Sequence, residues 1–128
     1  MVDKTRNGNE WTQARFRSFV TSALRAASRR WPPKYKALSK AYVSKKINKK
    51  TGKMAMHYKC ARCAKLFVAT GVQVDHILPV VDPKTGFSTW DVFIDRLFCE
   101  KENLQVLCRP CHKEKTEQEK LERKQKWT

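Results

Sequence analysis

The sequence predicts an α+β protein: two short strands and a closing helix stapled by cysteines, a basic helical pair ahead of them, and a further helix between the strands. Three observations predict it. Val72-Gln73-Val74 is a β-branched run ending in Asp75-His76 and stopped by Pro79. Leu104-Gln105-Val106-Leu107 reads as a second strand, followed by Pro110 as a natural first helical residue. Cys60-x-x-Cys63 and Cys108-x-x-Cys111 form two matched pairs, one in the turn before a strand and one at the head of the last helix.

The totals bound the reading. With 128 residues, 41% of them apolar, the chain can build a modest core that gains much from a staple. No apolar run approaches a membrane span and residues 1–9 are polar, so a reducing, cytoplasmic location without a membrane partner is expected. Five cysteines in that setting are metal ligands or free thiols rather than disulfides. The net charge of +16 is unevenly placed. Residues 1–59 hold 16 Lys/Arg against 2 Asp/Glu, residues 60–107 hold 5 against 6, and residues 108–128 hold 7 against 4. A near-neutral centre flanked by basic ends suits a site whose surroundings meet a polyanion. Nucleic acid is the leading partner and an anionic membrane surface the second.

Residues 1–9 read as disordered. In residues 11–31, Phe16, Val20, Ala23, Leu24 and Ala27 recur at helical spacing with arginines between, and Pro32-Pro33 stops the helix. Pro33 opens a second helix in which Tyr35, Leu38, Ala41, Tyr42 and Lys45 share a face, ending at Thr51-Gly52. Its aromatics are expected to pack rather than stack on bases. Lys45, Lys46, Lys49 and Lys50 form a solvated face that could lie along phosphates. Residues 1–56 are therefore expected to be a basic helical arm, and residues 57–128 the core.

In that core, residues 66–69 read as an apolar strand after the first cysteine pair, and His57 as a surface or packing histidine. Ser88 or Thr89 caps a short helix with Trp90, Phe93, Ile94, Leu97 and Phe98 on its apolar face. Asp91 and Asp95 are expected on its solvated side, and Cys99 as a small buried side chain. The last helix runs towards Lys126, with Glu119–Arg123 and Glu122–Lys126 at supporting i,i+4 spacing.

Each Cys-x-x-Cys places two thiolates on one tight turn, and two such turns complete a tetrahedron around zinc at about 2.3 Å from each sulfur. With all four positions filled by sulfur, that zinc is structural. It would pin the turn before one strand to the head of the last helix, and so carry His112 towards Asp75 and His76. Asp75 and His112 can share a divalent cation, Mg²⁺ or Mn²⁺ or another, that leaves positions for water and substrate. His76, titrating near neutrality, can deprotonate a water. Asp75 and His76 leave a regular strand on opposite faces, so one site is expected only if the backbone departs from strand geometry at His76.

The segments Asp75-His76-Ile77-Leu78-Pro79 and Asn103-Leu104-Gln105-Val106-Leu107-Cys108-Arg109-Pro110-Cys111-His112-Lys113-Glu114-Lys115-Thr116 resemble the HNH endonucleases. The two cysteine pairs resemble the zinc-bearing branch, which includes small phage-encoded enzymes. The resemblance covers residues 57–118 and implies a ββα-metal core that hydrolyses DNA phosphodiesters, leaving a 5′-phosphate and a 3′-hydroxyl. It further implies His76 as general base, Asp75 and His112 as metal ligands, and Asn103 as the residue holding the loop that orients His76. Residues 1–56 and the helix within residues 86–99 lie outside the motif. Arg109, Lys113 and Lys115 are candidate phosphate contacts on double-stranded DNA. A non-catalytic, zinc-stabilised DNA-binding module is the alternative, but it leaves Asp75, His76, Asn103 and His112 without a task.

Overall fold

The structure, a computed structural model, describes residues 2–125. Its elements in order are β1 (Lys4–Arg6), β2 (Trp11–Thr12), α1 (Gln13–Ser28), α2 (Pro32–Ala41), β3 (Tyr42–Ile47), β4 (Met54–Lys59), β5 (Leu66–Val68), β6 (Val72–His76), α3 (Trp90–Leu97), β7 (Leu104–Cys108) and α4 (Arg109–Gln125). Among the described residues, four helices and small antiparallel sheets make this an α+β protein. Among the described residues no helix is long and apolar enough to cross a membrane. The pair Glu122–Lys126 reaches outside the described residues.

Residues up to Trp31 form one compact unit and those from Pro32 another. In the first, the stretch expected to be disordered is instead a small hairpin, with Lys4 opposite Thr12 and Arg6 opposite Trp11. The cause is local: Asn7, Gly8 and Asn9 all take positive φ, which these residue types accept at low cost. Thr12 then caps α1, its Oγ1 accepting from the Arg15 N–H at 3.1 Å. The guanidinium of Arg6 lies over the Phe16 ring and that of Arg15 over Trp11. Arginines interleaved with aromatics thus hold this unit together.

The second unit opens with α2, which is shorter than the sequence suggests. The helix expected to continue to Thr51-Gly52 ends at Ala41, and Tyr42–Ile47 is a strand paired with β4. Tyr42-Val43 and Ile47 favour strand, and a partner across a Gly52 turn (φ +72°) satisfies their backbone groups. The boundary expected after residue 56 therefore falls inside β4, the central strand of the sheet β3-β4-β5.

Two clusters form the core. Cys60, Leu107, Cys108 and Cys111 make one; Tyr58, Val72 and Val106 make the other, with Leu38 and Ala41 of α2 packed on it. Phe67 touches both. On α3, Thr89 is the cap, and Phe93 and Leu97 are buried. Ile94 is exposed, so the apolar face is narrower than expected. β6 and β7 pair in continuous antiparallel register, from Val72 opposite Cys108 to His76 opposite Leu104.

Candidate metal centre and the Asp75 cluster

Cys60 follows the end of β4, Cys108 ends β7, and Cys111 lies in the first turn of α4. The first knuckle is a built turn: Cys60 N–H donates to Lys65 O at 3.0 Å and Ala64 N–H to Cys60 O at 2.9 Å. Ala64 takes φ +63° to close it. Ala61 N–H donates to Val106 O at 2.8 Å, which ties this knuckle to β7. All four sulfurs lie within 4.8 Å of one another, and Cys63 and Cys108 are 3.9 Å apart. A tetrahedron of sulfurs at the usual zinc distance has edges of about 3.8 Å, whereas a disulfide needs about 2.05 Å. The cluster could therefore hold a metal such as zinc.

The thiols are electrostatically unlike. Burial pushes the Cys60 thiol up, but the backbone N–H groups of Cys63, Cys108 and Arg62 outweigh it and bring it down to about 6. Cys111 is pushed up to about 12, first by its contact with the Cys108 thiol and then by burial. Burial also raises Cys108. One ready thiolate beside reluctant neighbours is how a metal-free thiol cluster distributes its protons. His57, bonded through Nδ1 to Ala55 O, is not part of this cluster, and neither is Cys99.

The second cluster begins at the very next residue of α4 after Cys111. His112 Nε2 lies 3.6 Å from Asp75 Oδ1. Lys115, on the same helix face at i+3, places Nζ 2.7 Å from Asp75 Oδ2 and also donates to the His76 carbonyl. Gln105, opposite Asp75 in the ladder, donates to Oδ2 at 3.1 Å. Glu119 lies 3.4 Å from Lys115 Nζ. Asp75 thus keeps Oδ1 towards His112 while Oδ2 is held by Lys115 and Gln105. Lys115, a candidate phosphate contact by sequence, meets Asp75 instead, and Gln105 joins it there. The His112-to-Lys115 spacing and the cross-strand pairing are the signals that would have found them.

His76 departs from expectation. The strand continues through it, paired with Leu104, and Ile77 N–H still bonds Asn103 O at 2.9 Å. Asp75 and His76 therefore leave β6 on opposite faces. His76 Nε2 lies 2.9 Å from the carbonyl of Leu97, at the end of α3. Asn103 holds the chain just beyond, its Oδ1 accepting from Leu78 N–H at 2.9 Å. Of the remaining candidates, Arg109 donates through Nε to Thr70 O at 2.8 Å, and Lys113 is exposed. Lys45 and Lys46 are exposed on β3, and Lys49 and Lys50 are exposed in the turn beyond it rather than on a helix. No family model, curated protein or solved structure matches the chain.

Proposed function

We propose that the chain is a metal-dependent endonuclease of the HNH type, hydrolysing phosphodiester bonds of double-stranded DNA. The observation that carries the reading is the 3.6 Å approach of His112 Nε2 to Asp75 Oδ1. His76 leaves β6 on the opposite face, and the reading requires it to reach the attacking water from the end of the strand. Two ligand atoms on one cation at about 2.1 Å each stand roughly 3.0–3.4 Å apart, so a small inward shift suffices. In support, β6 and β7 pair antiparallel and α4 follows them, the order a ββα core would have.

Asp75 Oδ1 and His112 Nε2 would hold the cation. When bound, a divalent ion offsets charge developing on the scissile phosphate and on the departing 3′ oxygen. The Leu97 carbonyl can only accept, so Nε2 of neutral His76 carries its proton and Nδ1 is the basic nitrogen. Nδ1 takes a proton from water as the oxygen attacks phosphorus, and the bond to the 3′ oxygen breaks. Solvent returns a proton to that oxygen, leaving a 5′-phosphate and a 3′-hydroxyl. Asn103 is a positioning residue, fixing the segment after His76 through Leu78 N–H. The basic surroundings supply attraction to the duplex.

One observation favours a second reading. Lys115 already neutralises Asp75, as a purely structural ion pair joining β6 to α4 would require. On that reading the protein is a non-catalytic, zinc-stabilised DNA-binding module. Nicking of supercoiled plasmid in Mg²⁺ or Mn²⁺ separates the two. Wild type is expected to nick and His76→Ala to lose at least a hundredfold in rate while binding DNA as before. If both are equally inert while binding stays tight and salt-sensitive, the catalytic reading fails.

A further inference from the structure

The hairpin β3–β4 is the most one-sided surface of the second unit. Residues 42–59 hold six lysines (45, 46, 49, 50, 53 and 59) and no acidic residue. Its base is braced by β5, whose pairing with β4 stops at His57 opposite Val68. Beyond that rung Lys45 pairs with Met56, Lys46 with Ala55 and Ile47 with Met54, and these rungs have no third strand beside them in the sheet. The chain extends there as a two-stranded ribbon.

The tip is built rather than loose. Asn48 N–H donates to Lys53 O at 2.8 Å, Gly52 N–H to Asn48 O at 2.7 Å, and the Asn48 side chain accepts from Lys50 N–H at 3.0 Å. Gly52 supplies the positive φ that the turn needs. Strand alternation places Lys45, Ile47, Met54 and Met56 on one face. Ile47 and Met54, paired at the tip, are each 62% exposed. Apolar side chains at the end of a lysine ribbon meet no core on this molecule.

We infer that this ribbon enters a groove of duplex DNA, its lysines on the flanking phosphates and the Ile47–Met54 pair pressed as a wedge against a base step. The inference rests on the DNA reading above and adds how the duplex is held. Charge complementarity selects the occupant: six cations without one anion call for a polyanion, and a two-stranded ribbon has groove dimensions. The exposed tip pair supplies what lysines do not, an apolar surface that stabilises a partly unstacked, bent duplex.

The test uses the full chain loaded with zinc, on a short duplex with dyes at both ends, without Mg²⁺ or Mn²⁺ so that cleavage plays no part. Lys49→Gln/Lys50→Gln is expected to lower affinity roughly tenfold and to flatten the log-affinity against log-salt slope by about 2. Ile47→Ser/Met54→Ser, which keeps every charge, is expected to leave that slope unchanged and to remove the end-to-end shortening that reports bending. All four positions are exposed, and unchanged thermal melting of each variant confirms that it folds. Both variants matching wild type in slope and bending would overturn the proposal, as would binding to anionic lipid vesicles in place of DNA. Wild-type nicking with unaltered hairpin variants removes the ribbon proposal alone. Ribbon-dependent binding by a protein that never nicks removes the catalytic reading alone.

Discussion

Lys115 Nζ lies 2.7 Å from Asp75 Oδ2, with only 22% and 12% of the two side chains exposed. The ammonium also bonds the His76 carbonyl, so one side chain of α4 clasps both the side chain and the backbone at the end of β6. Lys115→Met removes this charge-assisted contact while keeping most of the side-chain volume. We expect it to cost about 1–3 kcal/mol of stability. Asp75 would then lack its principal counter-charge, and a divalent cation would find a stronger site. Millimolar Mn²⁺ should therefore raise the melting temperature of Lys115→Met more than that of wild type. An equal rise in both proteins would show that Asp75 does not take part in cation binding.

Cys60 and Cys111 give the sulfur cluster a pH signature. In the metal-free protein the Cys60 thiol is held down at about 6 against an ordinary 9.0. Its contribution to stability is complete above 9.0 and is lost as pH falls through about 6. Cys111 is displaced the other way, so its contribution is complete below 9.0 and is lost as pH rises towards about 12. As far as these thiols decide it, the metal-free protein is most stable near pH 9, which thermal melts across pH would read. Bound metal adds a separate dependence, since protons compete for thiolates and acid should strip it. Removing the metal with a chelator, or replacing Cys60 with Ser, should lower the melting temperature sharply while leaving a melt that can be followed across pH. An unchanged melting temperature after complete metal removal would count against the staple.

Ala64 closes the first knuckle at φ +63°, where a Cβ is strained by about 1–2 kcal/mol. Ala64→Gly relieves that strain at some cost in unfolded-chain entropy. A net gain of about 0.5–1 kcal/mol, read from denaturant melts of the zinc-loaded protein, is the expected outcome. A loss of stability would show that the methyl group makes a contact outweighing the strain.

The parts of the fold that were legible carried signals the chain could not satisfy otherwise. Val72 to Val74 and Leu104 to Leu107 are apolar but for one glutamine each, each is followed by a proline within five residues, and they pair with each other. The two Cys-x-x-Cys turns converge, as two matched pairs of potential metal ligands suggest. Where the structure differs from these expectations, a tight turn decides the outcome. Asn7-Gly8-Asn9 lies in a polar stretch that reads as disordered, yet its three positive φ values close a hairpin. Tyr42 and Lys45 fit the face of a helix after Ala41, yet they also fit a strand, and only the partner beyond Gly52 decides between the two. Lys115 shows a different limit. Its spacing marks the helix face it shares with His112, but a lysine that meets phosphate and one that meets Asp75 look alike in a sequence.

β4 carries the lysine turn at one end and runs directly into Cys60 at the other. An extended strand of this length spans about 20 Å, so the outer ribbon and the thiol cluster share one lever. Grip at the far end is only as firm as the sulfur-held fulcrum behind it. Trypsin cutting after Lys49 and Lys50 should accordingly quicken when the metal is withdrawn, and a rate indifferent to chelation would mean that the lever pivots on Tyr58 and its packing alone.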